Sequence, residues 1–176
     1  MATWGIDLAH SDVTFKVKHL MITNVTGAFR NFTVTAETKG DDFTQFTAKA
    51  EIETASVDTG NKQRDAHITA ADFFNSEKFP HITFVSTKYE SVDGDGSYEL
   101  YGDLTIMGVT KPVKLEVEFG GVVKDPYGNI KAGFSVNGKI NRQDFGLSWN
   151  AALETGGVVI SNDVRISADI ELTKTA

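Results

Sequence analysis

Strict alternation of apolar and polar residues is the feature that most constrains the fold of this chain. It is clearest in the segment 113–119, where the apolar Val113, Leu115, Val117 and Phe119 alternate with Lys114, Glu116 and Glu118. Successive side chains of a β-strand point to opposite faces, so this pattern predicts a strand with one buried and one hydrated face. About eight such segments, separated by turn sequences such as Asp93-Gly94-Asp95-Gly96, predict an all-β antiparallel barrel or sandwich.

Length and charge narrow the classes of protein and partner. The 176 residues suit a single domain, 1–176, with one core. The formal net charge of −7 argues against a nucleic-acid partner and disfavours anionic membrane surfaces. Because the chain has no cysteine, disulfides, thiolate metal sites and cysteine nucleophiles are excluded.

The N-terminal sequence and the hydropathy of the chain bear on its location. Met1 to Asp7 lack a basic region followed by an apolar run, and no apolar stretch is long enough to span a bilayer. We therefore expect a cytoplasmic protein without stable membrane insertion. A periplasmic location is the alternative if the sequence is a processed form.

One stretch, Arg64 to Ser86, departs from the strand pattern. A charged, alanine-containing segment, about 61–71, predicts the one helix of the fold. It is followed by Phe73 and Phe74, two consecutive rings outside any alternating strand. These rings are interpreted as a lid, a gate or part of the core, and they are the strongest indication of a pocket that the residues themselves give.

The inward-facing rows leave the interior open to two interpretations. Large rings alternate with small residues, as at Phe46, Ala48 and Ala50 and at Phe134 and Gly138. A barrel of about eight strands has room either for its own side chains or for one small ligand. The residues alone therefore allow both a packed core and a ligand cavity.

The histidines do not form a recognisable metal site or catalytic triad. His19, His67 and His81 fall on an inner strand face, a helix and an outer strand face, and their spacing completes no set of metal ligands. His19 is either a core histidine with a partner or a hydrogen-bond donor to a ligand headgroup. His10, Ser11 and Asp12 are neighbours on one extended segment, so they cannot form a catalytic relay, and we expect no enzyme.

Two pairs of charged residues lie beside predicted corners of the barrel: Arg64 with Asp65, and Arg142 with Asp144. Partly buried charges require partners, which favours a salt-bridged rim at the barrel end. Direct contact with a ligand is the alternative.

Short motifs spread over nearly the whole chain together resemble the YceI-like family of polyisoprenoid-binding proteins. They are Trp4-Gly5-Ile6-Asp7, His10-Ser11, Phe15 to Leu20, Gly27-Ala28-Phe29, Arg64 to Ser86, Leu104 to Val113, Arg142 to Gly146 and Val164-Arg165-Ile166. The resemblance implies a bacterial, lipocalin-like antiparallel barrel with the helix covering one end, and a homodimer. It also implies a hydrophobic tunnel for a polyisoprenoid, an isoprenoid quinone or a fatty-acid derivative. Many relatives carry a signal peptide and are periplasmic, whereas this chain shows none.

The resemblance also implies which side chains meet the ligand. It places His19, Arg64 and His67 near a polar headgroup, and the tunnel lining at Phe15, Val17, Phe84, Leu104, Leu115, Phe134 and Ile166. Phe29, Phe73 and Phe74 complete the predicted ligand-binding set. No cofactor and no catalytic residue are implied.

Non-catalytic binding, carriage or storage of a long-chain apolar lipid is the function that this resemblance implies. A stress-related structural or interaction protein that binds lipid adventitiously is one alternative, and an enzyme acting on an isoprenoid headgroup is another. A defined ligand that exchanges with a donor would separate a carrier from a scaffold, and turnover of that ligand would identify an enzyme.

Overall fold

The structure is a computed structural model and describes residues 1–71, 73–147 and 160–176. These residues contain one α-helix, α1 (Lys62–Thr69), and eleven strands of one sheet. The strands are β1 (Ala2–Ile6), β2 (Asp12–His19), β3 (Thr23–Phe29), β4 (Phe32–Lys39), β5 (Asp42–Glu53), β6 (Val57–Asp58), β7 (His81–Ser91), β8 (Ser97–Ile106), β9 (Val109–Lys124), β10 (Ile130–Asn141) and β11 (Ile160–Lys174). Short 3-10 helices cover Leu8–His10, Thr54–Ser56 and Arg142–Phe145.

Eight of the strands close into an antiparallel barrel. The pairing runs β1-β4-β5-β7-β8-β9-β10-β11, and β11 pairs again with β1. Closure leaves no free edge in this ring, which distinguishes a barrel from a sandwich. The prediction of an all-β antiparallel barrel with one helix is therefore confirmed.

The long strand β11 divides the barrel into two halves, because two different strands pair with the same edge of it. Leu172 to Lys174 pair with β1, whereas Ile160 and the segment 164–169 pair with β2. Beyond β1, the wall therefore continues through β2, β3 and the short β6. We call the half closed by β1 the aromatic half, and the half built with β2, β3 and α1 the helical half.

The helix forms where the sequence predicts it. Asn61 caps its N-terminus by accepting a hydrogen bond from the Arg64 backbone N–H at 3.0 Å, which satisfies one of the free amide groups of the first turn. The helix ends at Thr69, two residues before the end of the predicted segment. No helix within the described residues is long and apolar enough to cross a membrane.

Aromatic side chains fill the aromatic half. Phe43 lies at their centre, with ring centroids 4.7 Å from Trp4, 5.6 Å from Phe46, 5.5 Å from Phe119 and 5.2 Å from Phe134. The buried Trp4 indole N–H donates to the Thr38 hydroxyl at 2.8 Å, so its polar atom is satisfied. This half of the barrel is a packed core.

Candidate functional site

The helical half of the barrel encloses a cavity of about 450 Å³. This volume lies within the range of small-molecule sites in proteins, about 300–1,000 Å³. Its lining is almost entirely apolar and includes twelve of the thirteen residues of the predicted ligand-binding set: Phe15, Val17, His19, Phe29, Arg64, His67, Phe73, Phe74, Phe84, Leu104, Leu115 and Ile166. The structure thus brings together, in one cavity, residues that are far apart in the sequence.

Phe134 is the residue of that set that lies elsewhere. It is buried in the aromatic cluster, with its ring 5.2 Å from that of Phe43 and 5.7 Å from that of Phe46. Alternation correctly places it on an inner face. Alternation does not show how far along the barrel axis a side chain lies, and Phe134 lies in the packed aromatic half.

Glycines in the barrel wall help to keep the cavity open. The Phe15 ring occupies the space of a side chain at Gly27 on the neighbouring strand, and the Phe84 ring does the same at Gly102. Leu115 covers Gly138 in the same way. Because each large side chain lies over a glycine of the wall, less of it projects into the centre of the barrel. Both interpretations of the mixed large and small residues therefore apply: the helical half contains a cavity, and the aromatic half is a packed core.

The polar part of the lining includes His19, Arg64 and His67. The ring nitrogens of His19 have no hydrogen-bond partner within the described part of the chain, and its side chain is half-buried. The guanidinium of Arg64 donates to the hydroxyl and the carbonyl of Thr59 at 2.8 and 2.7 Å. His81, by contrast, is exposed on β7, with Nε2 3.3 Å from Glu51 Oε1, as its predicted outer position requires.

The charged corner residues are held differently from the expected salt-bridged rim. Asp65 accepts hydrogen bonds from the backbone N–H and hydroxyl of Thr59, the residue that also binds Arg64. Thr59 therefore links both charges to the segment before α1.

Arg142 is a cavity residue that the ligand-binding prediction did not include. Only 3% of it is exposed, and it lines the cavity. Its guanidinium donates to the backbone carbonyls of Leu147, Ile160 and Ser161, the last at 2.9 Å. Burial lowers the pKa of this group. The side chain holds two chain segments together at the wall, and no local sequence pattern shows that those carbonyls converge.

Phe73 and Phe74 both line the cavity. The Phe74 ring packs 5.8 Å from Phe29, and the Phe73 ring lies 5.0 Å from the His67 imidazole, edge to face. These contacts fix both rings beside the cavity, and the lid interpretation stays a prediction.

A second polar cluster, which the sequence did not reveal, lies outside this cavity. Asp7, His10 and Glu171 bring potential ligand atoms within 4.8 Å of one another. The Lys131 ammonium donates to Asp7 Oδ2 and to Thr173 Oγ1, both at 2.7 Å, and lies 3.8 Å from Glu171 Oε1. A lysine thus supplies the positive charge beside these carboxylates, so the cluster is an ion-pair network that joins the segment after β1 to β10 and β11.

This network predicts a pH-dependent contribution to stability. The hydrogen bonds from Lys131 and then His10 lower the pKa of Asp7 from 3.8 to about 2. A depressed carboxyl pKa stabilises the fold above about pH 4, and this stabilisation, about 2 kcal/mol, is lost as the pH falls through 2. Asp7→Asn should therefore reduce the loss of unfolding free energy between pH 4 and 2 by about that amount, measured by denaturant titration.

The control for this prediction is Asp95→Asn, which alters an exposed carboxylate of the β7–β8 turn. It should retain the acid-dependent loss of stability. Identical pH profiles for Asp7→Asn and the unsubstituted protein would contradict the assignment.

Comparisons with other sequences place the chain in a family. The family model described as the YceI-like domain matches residues 4–172. A UPF0312 protein of Staphylococcus aureus is 41% identical over 174 residues, which covers 98% of both chains. A UPF0312 protein of Staphylococcus epidermidis is 40% identical over the same length and the same share of both chains.

Comparisons with solved structures agree. The Campylobacter jejuni YceI protein is 38% identical, with a TM-score of 0.77 and coverage of 97% of both chains. Burkholderia cenocepacia BcnA has a TM-score of 0.80 at 25% identity, covering 94% of this chain and 98% of its own. A polyisoprenoid binding domain from Saccharophagus degradans shares the fold at 16% identity, with a TM-score of 0.69 and 98% coverage of both chains. The match over nearly the whole sequence and the shared barrel show that this chain belongs to the YceI-like family.

Proposed function

We propose that this protein binds a long-chain apolar lipid in the cavity of the helical half, for carriage or storage rather than for catalysis. The ligand would be a polyisoprenoid, an isoprenoid quinone or a fatty-acid derivative. The observation that carries the proposal is the cavity of about 450 Å³ with an almost wholly apolar lining. The Saccharophagus degradans domain is a polyisoprenoid binding domain of the same fold, which supports the ligand class at the level of architecture.

The energetics favour a chain-like ligand. Transfer of hydrocarbon from water gains about 0.8 kcal/mol for each buried methylene group, before the entropy of ordering the chain is subtracted. An apolar cavity that water does not fill gains free energy from any hydrocarbon of suitable shape. Affinity then requires few polar contacts, so we expect specificity among apolar tails to be low.

His19 is the proposed contact for a polar headgroup. It lies on the almost wholly apolar cavity wall, and its ring nitrogens have no hydrogen-bond partner within the described residues. A half-buried imidazole without a partner loses hydrogen bonding that water would supply, at a cost of about 1–3 kcal/mol if fully desolvated. A headgroup carbonyl, hydroxyl or phosphate oxygen can restore that bond.

His19→Phe should remove headgroup selectivity while leaving the binding of plain hydrocarbon chains within about threefold, since the phenyl ring keeps the apolar surface but cannot form hydrogen bonds. The measurement is competition between a quinone and an alkane of similar length for a fluorescent fatty-acid probe. His81→Phe on the outer face of β7 is the control. An unchanged quinone preference in the His19 variant would assign this histidine to the structural core.

Native mass spectrometry tests the proposed function directly. Protein purified from bacteria without added lipid should carry a long-chain apolar molecule, which organic extraction then identifies. A protein that is empty on purification and does not bind added isoprenoids or fatty acids would contradict lipid binding and favour the scaffold alternative. Conversion of the bound ligand to a product would instead favour an enzyme.

The cytoplasmic location and the homodimeric state remain predictions. Cell fractionation tests the first, and light scattering of the purified protein tests the second.

A further inference from the structure

The turn between β2 and β3 exposes three consecutive apolar side chains. Leu20 is 38% exposed, Met21 54% and Ile22 78%. The strands that carry this turn also form the cavity wall, through Val17 and His19 on one side and Val25 on the other. We call residues 20–22 the apolar tip.

The backbone of the apolar tip is unfavourable for the residues that form it. The turn is closed by a hydrogen bond from the Ile22 N–H to the His19 carbonyl at 3.1 Å, and both central residues have positive φ, 52° for Leu20 and 64° for Met21. Turns of this kind favour asparagine and glycine, and the left-handed conformation costs other residues about 1–2 kcal/mol each.

The other hairpin turns in the described residues contain glycine where the backbone is left-handed. The remaining four hairpin turns within the described residues, those after β4, β7, β8 and β9, each contain a glycine with positive φ: Gly40, Gly94 and Gly96, Gly108, and Gly128. Met107, beside Gly108, also has a positive φ of 52°, so the β2–β3 turn differs in having two such large residues and no glycine. Large apolar residues at the β2–β3 turn therefore destabilise the hairpin and expose hydrocarbon to water. Folding does not account for them, which points to a role in binding.

Basic residues surround the same hairpin in an otherwise acidic protein. The segment 13–29 contains Lys16 and Lys18 and no Asp or Glu, although the chain has a net charge of −7. In the strand register, Lys16 lies directly opposite Arg165 on β11, and Arg165 lies opposite Lys139 on β10. All three side chains are exposed. Like charges placed side by side destabilise a sheet. Asp163 lies 3.8 Å from Lys139. We call the exposed side chains of Lys16, Lys18, Arg165 and Lys139 the basic row.

We propose that the apolar tip and the basic row dock the protein on a phospholipid bilayer. The tip would enter the boundary between headgroups and acyl chains, and Lys16, Lys18 and Arg165 would face lipid phosphates. Because the net charge of the whole protein opposes approach to an anionic surface, the basic row also sets the orientation. The helical half of the barrel, which contains the cavity, then faces the bilayer, and an apolar chain can pass between the bilayer and the cavity. This last consequence rests on the proposed function, whereas the docking does not.

The decisive variant is Leu20→Asn combined with Met21→Gly, which installs the favoured turn sequence. It should be at least as stable as the unsubstituted protein, because the left-handed strain is relieved. It should nevertheless bind vesicles of phosphatidylcholine containing a minor share of phosphatidylglycerol at least about tenfold more weakly in flotation assays, since the exposed apolar side chains of Leu20 and Met21 are removed and only that of Ile22 remains. The combined change Lys16→Ser and Arg165→Ser should weaken binding at low salt and remove most of its salt dependence.

The matched control is Val123→Ser combined with Tyr127→Ser. These residues are 65% and 89% exposed and lie at and beside the turn between β9 and β10, next to the aromatic half. They should leave vesicle binding unchanged. No vesicle binding by the unsubstituted protein, or equal losses in the tip and control variants, would overturn the proposal.

Two further measurements separate the possible failures. Native mass spectrometry of the tip variant shows whether the cavity still holds lipid, so a loaded protein that never binds vesicles would contradict docking and leave lipid binding intact. Vesicle binding by a protein that carries no lipid would support docking and contradict lipid binding in the cavity. Light scattering tests whether a second copy covers the tip: a dimer that the tip variant converts to a monomer, with no vesicle binding, would overturn the proposal in favour of a dimer contact.

Discussion

Ala50→Phe is expected to empty the cavity while the barrel remains folded. Ala50 lines the cavity on β5, between Val34 on β4 and Phe84 on β7, both of which also line it. A phenyl ring at this position extends into open space rather than into packed atoms, so the usual penalty for overfilling a core, about 1–3 kcal/mol, should be reduced. We expect at least about a tenfold loss of affinity for a fluorescent fatty acid, and no copurified lipid in native mass spectra.

Thr47→Phe provides the matched control, because Thr47 is exposed on the outer face of the same strand. It should bind lipid normally. Gly138→Leu approaches the cavity from β10, across the ring: a side chain there displaces Leu115, whose Cδ2 would lie 2.5 Å from the new Cβ. If both Ala50→Phe and Gly138→Leu fold and retain lipid, the ligand does not lie in this cavity.

Phe43→Ala should cause a large loss of stability, about 3–5 kcal/mol, because it leaves a void at the centre of the aromatic cluster. Only 2% of Phe43 is exposed, and its ring contacts four other aromatic rings. Unfolding in guanidinium chloride, followed by tryptophan fluorescence, measures this change. A loss below about 1 kcal/mol would show that the aromatic half relaxes around the void.

Tyr127→Ala is the control for this change, since the Tyr127 side chain is 89% exposed. Its effect should stay within about 0.5 kcal/mol. Together with the Ala50 variant, the comparison assigns different roles to the two halves of one barrel: the aromatic half supplies stability, and the helical half supplies the binding volume.

The strand pattern of the sequence determined the fold class, because side-chain direction in a strand depends only on residue parity. Val13, Phe15, Val17 and His19 face inward because alternation requires it, and the structure places Phe15, Val17 and His19 on the cavity wall. The helix could also be predicted from local sequence, because its N-cap Asn61 and its charged turns lie within one short segment. The family resemblance added the expectation of a tunnel, which the residues alone left undecided.

Only the tertiary structure decided which part of the interior is empty. Phe134 and Phe84 both belong to inward rows, yet one is packed against Phe43 and the other lies over Gly102 beside the cavity. The difference arises from strand register, which brings a glycine or another ring to the same level, and register depends on pairing between distant segments. The role of Arg142 also depends on strand pairing, because its carbonyl partners at Leu147 and Ile160 converge only when β10 and β11 are paired. Sequence fixes the face of each side chain locally, whereas the level at which side chains meet is a property of the closed barrel.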